Sequence, residues 1–142
     1  MKNYRTLIHA VMQRSGISLD QSLSSIALVI RAVVWQLSSE EAAILKLSLA
    51  PELGQLVVEA RRGVAAESRP YVHADAGRNG LEIIESVGAA LDLPELEAQA
   101  RICSVLDELR AEVSLWEDVK VLEIIDGMRA VVSQALPRAA VA

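Results

Sequence analysis

The chain has 142 residues, 52% hydrophobic and 23% charged, with a net charge of −5. That length suits one domain burying roughly two-thirds of its unfolded surface, and the composition argues against intrinsic disorder. Phenylalanine is absent and aromatics reach only 3%, so an aliphatic core is expected, and its Leu and Ala favour helices over strands.

In chain order, a short first helix is predicted from Tyr4, Leu7, Ile8, Val11 and Met12, which share one face before Gly16 stops the helix. Ser18 is placed to cap a long second helix. Its seam steps by three and four residues through Leu19, Leu23, Ile26, Ile30, Val33 and Leu37. Leu28, Val29, Ala32 and Trp35, beside Ser22, Ser25, Arg31 and Gln36, leave this helix apolar over most of its circumference. Such a helix is either central in the fold or covered by a partner.

Ser39, Glu40 and Glu41 open a third segment, with acids suited to the positive end of a helix. Pro51 starts a fourth, carrying Leu53, Leu56 and Val57, and Arg61 and Arg62 are expected near its negative end. Residues 63–80, with Pro70, Gly77, Asn79 and Gly80, read as a connector.

Beyond the connector, Leu81, Ile84, Val87, Gly88 and Leu91 form the next helical stripe, ending at Asp92, Leu93 and Pro94. Ile102, Leu106, Leu109 and Val113 mark another long helix. Its outer face is expected to be solvated: Glu95, Glu97, Arg101, Asp107, Glu108, Arg110 and Glu112, with Glu97 and Arg101 spaced to pair. Residues 115–136 read as one last helix with a bend near Gly127, and residues 137–142 as a frayed tail.

The two halves repeat one pattern. An offset of 76 pairs Ile8 with Ile84, Val11 with Val87, Ile17 with Leu93 and Ile26 with Ile102. It also pairs Val29 with Val105, Ile30 with Leu106, Val33 with Leu109, Leu37 with Val113 and Glu41 with Glu117. A slip of one residue then sets Leu53 opposite Met128 and Val57 opposite Val132. The expectation is an all-α fold in a single domain, residues 1–142. Two tandem helical units, 1–63 and 77–136 with three to four helices each, pack into one compact bundle, joined by a connector over 64–76. Two copies are too few for an extended solenoid.

Chemistry-bearing motifs are scarce. His9 and His73 fall in no metal-binding spacing. The lone Cys103 excludes an internal disulfide and a cysteine-based zinc site, and reads as a partly buried small hydrophobe. Carboxylate pairs such as Glu40 and Glu41 or Asp107 and Glu108 match helix starts and solvated faces, and alone specify no reaction. Residues 77–80 lack the ending of a phosphate-binding loop. No catalytic residue, cofactor or metal is expected.

Mean hydropathy is +0.31, yet the strongest apolar run, residues 26–30, ends at Arg31. A spanning helix needs about 20 apolar residues, so no membrane span is expected, and with no signal-peptide pattern at the N-terminus the expected location is cytoplasmic. Charge is uneven, +2 over residues 1–63 and −7 over residues 64–142. Nucleic acid is a disfavoured partner, since only Arg61 and Arg62 form a basic cluster.

One stretch resembles a known family. After the aliphatic helix come Leu37, Ser38, Ser39, Glu40, Glu41 and Ala42, then Leu45, then Leu49, Ala50, Pro51, Glu52 and Leu53. This is similar to the bacterial helical tandem-repeat family known as domain of unknown function 2267, with its small polar turn, acidic residues and alanine, and later Leu-Pro-Glu-Glu-Leu-like helix start. Residues 100–132 share the helix and the Glu117 and Asp118 turn. Ala50 separates Leu49 from Pro51, and the second unit lacks the proline. The resemblance implies a bacterial, cytoplasmic helical protein and supplies no catalytic residues.

These readings favour a non-catalytic protein–protein interaction module, an adaptor or assembly factor, with self-association its simplest form. The candidate partner-binding residues are Leu28, Arg31, Trp35, Arg61, Arg62 and Trp116, because Trp and Arg are enriched at interface hot spots. A regulatory or stress-related factor contacting nucleic acid is the alternative, and a small enzyme with a cleft between the units the third.

Overall fold

Aliphatic spacing of three to four residues becomes α-helix throughout the described part of the chain. The computed structural model describes residues 4–67, 76–113 and 119–135. It contains α1 (Tyr4–Ser15), α2 (Leu19–Val34), α3 (Ser39–Ser48), α4 (Pro51–Glu67), α5 (Ala76–Leu91), α6 (Glu95–Glu112) and α7 (Val119–Gln134). The architecture is an all-α bundle with many helix–helix contacts.

Local signals set most boundaries. Gly16 stops α1 at φ +63°, a left-handed conformation that suits a residue without Cβ. There Ile17 N–H donates to the Met12 carbonyl at 3.1 Å, and the chain turns 106° into α2. Ser18 caps α2 by accepting from Gln21 N–H. Ser38 and Glu41 form a reciprocal capping box at the start of α3. Pro51 opens α4, where its missing N–H has no helical partner to lose.

The turn between α5 and α6 repeats the first one 76 positions on. Asp92 takes φ +55° at the place of Gly16, and Leu93 N–H donates to the Gly88 carbonyl at 2.8 Å, as Ile17 does to Met12. Aspartate tolerates this region better than most residues with a side chain. α1 packs on both α2 and α6, and α5 packs on both α6 and α2. Ser25 and Arg101, themselves 76 apart, meet where α2 and α6 cross: Arg101 Nη1 donates to Ser25 Oγ at 3.2 Å. That contact joins two residues that the 76-residue offset places opposite each other.

The core is aliphatic and continuous across both units. Ile30, Val33, Leu106 and Leu109 have no exposed surface. α2 packs against α1, α4, α5, α6 and α7, so most of its apolar circumference is used inside the chain, and Ala27, Leu28 and Trp35 stay partly accessible. Val29, Ser22 and Ser25, expected on its outer face, are fully buried. Ser22 and Ser25 hydroxyls donate to the Ile8 and Gln21 carbonyls at 2.9 and 2.6 Å, which removes the cost of burying them unbonded. Leu19, placed on the seam by its spacing, is 50% exposed in the first turn.

Four sequence expectations change. The connector is narrower than residues 63–80, because α4 runs to Glu67 and α5 begins at Ala76. Gly80 is helical: a Cβ there would lie 2.8 Å from the Val131 carbonyl oxygen. It is a contact glycine that lets α5 approach α7, not a loop residue. Arg61 lies six residues before the end of α4 rather than at its last turn.

The charged face of α6 is the fourth change. Arg101 and Glu112 are buried, and the side chains of Asp107 and Glu108 keep 26% and 16% exposure. Arg14 of α1 and Arg129 of α7 meet Asp107 and Glu108, while Glu97 and Arg110 stay exposed as expected. The expected last helix is described only as α7, and residues 114–118 and 136–142 lie outside the described residues.

Candidate functional site

Three of the six candidate partner-binding residues come together. Leu28, Arg31 and Trp35, at the end of α2, are spaced by three and four, so they share one side of the helix. Arg31 is exposed and Leu28 and Trp35 are half-buried. The accessible strip of α2 runs through Asp20, Ser24, Ala27, Leu28, Arg31 and Trp35. The Arg31 guanidinium sits over the Trp35 ring, 4.7 Å from its centroid, a stack worth roughly 0.5–1 kcal/mol at exposed sites.

Arg61 is engaged within the fold. Its Nη1 donates to the Leu37 carbonyl at 3.2 Å and its Nη2 to Ser39 Oγ, tying α4 to the turn between α2 and α3. Of the arginine doublet, Arg62 is the exposed member. Trp116 and His73 lie outside the described residues. His9 is exposed on α1, and no group of three metal-ligating side chains occurs among the described residues.

Sequence spacing missed a charge cluster joining α1, α6 and α7. Asp107 of α6 accepts from Arg14 of α1 at 2.8 Å and from Arg129 of α7 at 2.9 Å. Glu108 accepts from Arg14 at 3.4 Å. The hydrogen bond and charge of Asp107 push the Arg129 pKa up. No local signal shows this cluster, because Arg14 lies 93 positions from Asp107.

Cys103 stands one turn before Asp107 in α6 and is half-buried. Burial pushes its thiol up, Arg129 and Arg14 pull it down, and Asp107 adds to the rise. Burial wins, so this cysteine lacks the depressed pKa of a reactive thiolate.

Comparison with family models, curated proteins and solved structures finds no match. Among the described residues, no single helix is long and apolar enough to cross a membrane.

Proposed function

We propose that the chain is a non-catalytic protein–protein interaction module, an adaptor or assembly factor, that docks through the accessible strip of α2. One observation carries the reading: Leu28, Arg31 and Trp35 line up on that strip, with the arginine stacked on the tryptophan. An aromatic and an arginine held together form a preorganised anchor, which lowers the entropy lost on docking. A second copy is the simplest partner, since the +2 stretch of one chain complements the −7 stretch of another. The resemblance to domain of unknown function 2267 adds no catalytic residue to this reading.

Light scattering over a concentration and salt series tests it. The mass should rise toward two chains with concentration and fall back as salt screens the charges. Trp35→Ala should weaken association about tenfold or more, with the helical signal retained in circular dichroism. A one-chain mass under every condition overturns self-association through this strip.

A further inference from the structure

Among the described residues, no carboxylate pairs with the cation held at the crossing of α2 and α6. Arg101 keeps only 9% exposure, and it donates from Nη1 to Ser25 Oγ at 3.2 Å. A guanidinium has five N–H donors, so this bond uses a small part of its capacity. The Ser25 hydroxyl is neutral, and its own proton goes to the Gln21 carbonyl at 2.6 Å. Asp107 and Glu108 on α6 instead pair with Arg14 and Arg129. None of the Arg101 nitrogens is both sealed from solvent and unbonded. Its unbonded donors therefore keep some contact with solvent.

A charge taken from water without a counter-charge is strongly unfavourable, and an oxyanion would relieve it. We propose that Arg101 anchors a binding site for an oxyanion, a phosphate or carboxylate group, where α2 and α6 cross. The planar fork of the guanidinium matches two oxygens of such a group. Ser25 holds one end of the fork and leaves the other donors to the anion. Arg101 comes from α6 and Ser25 from α2, so a bound anion would strengthen the junction between the units. An anion that binds only the folded chain raises its stability by mass action. This site does not depend on docking through the α2 strip.

Titration of the full chain with inorganic phosphate, and separately with acetate, at constant ionic strength tests the proposal. One-site saturable heat in calorimetry and a matching rise in Tm are expected for at least one anion, and the tighter one identifies the group. Arg101→Met, similar in length and uncharged, should weaken binding about tenfold or more. Arg101→Lys keeps the charge without the fork and should fall between. No saturable heat with either anion overturns the proposal, as does parent-like binding by Arg101→Met. If Arg101→Met fails to fold, parent-like affinity in Arg101→Lys overturns the forked recognition.

Discussion

α2 and α6 occupy equivalent places in the two units, yet their sequences suggest opposite environments. α2 reads as apolar nearly all round and is central, wrapped by helices from both units. α6 reads as half solvated, and part of its charged face is closed off: Arg101 and Glu112 are buried, and Asp107 and Glu108 face α1 and α7. The difference lies in how each is covered: α2 by aliphatic side chains, α6 by arginines that answer its acids. A charged helical face thus reports solvent only when no distant element carries the complementary charge.

The largest effects should come from testing whether the two helices are equally central. Ile30→Ala in α2 and Leu106→Ala in α6 remove fully buried, equivalent side chains, and each should cost about 2–5 kcal/mol in urea unfolding. A loss at Leu106 below about 1 kcal/mol would break the equivalence.

Gly80→Ala should cost about 1–3 kcal/mol, because its Cβ would meet the Val131 carbonyl oxygen at 2.8 Å, backbone that cannot swing aside. Gly127→Ala, where nothing lies within 4 Å, should stabilise by about 0.5–1 kcal/mol through helix propensity. Opposite signs in thermal unfolding would separate the contact glycine from the open one.

Asp107→Asn should cost about 0.5–1.5 kcal/mol. It faces two arginines, but both are more than a third exposed, so solvent discounts the pairing. Asp126→Asn removes the 2.6 Å pair with Arg110, whose side chains are 47% and 50% exposed, and should change stability by less than about 0.5 kcal/mol. Equal losses would deny the Asp107 cluster its special place.

The smallest effect concerns Cys103. Its thiol pKa is raised by burial, so folding favours the neutral thiol. That contribution is present below the ordinary thiol pKa and is lost as pH climbs above about 9. Alkylation near neutral pH should run slower in the folded chain than in urea. Faster labelling of the folded chain would contradict the stated balance of burial and charge.

Much of the fold was legible because its signals are local. Gly16, Ser18 and Pro51 act through bonds and angles within a turn, and each sits where its chemistry predicts. Alignment of Leu28, Arg31 and Trp35 follows from helical spacing alone. What spacing concealed depends on residues far away. Arg101 looks like a partner for Glu97 four residues before it, but α2 offers it Ser25 where the two helices cross. Gly80 looked like loop punctuation because its reason for being small is the backbone of α7. Arg61 looked like a terminal charge because the length of α4 beyond it was hidden by a run of small residues.

Native-state hydrogen exchange tests the central claim most directly, that α2 and α6 form one shared interior. The account predicts that amides near Ile30 and near Leu106 open only with global unfolding and carry the same free energy. If the amides of α6 exchange through a cheaper opening while α2 stays protected, the charged face is a surface and the picture of two equivalent central helices fails.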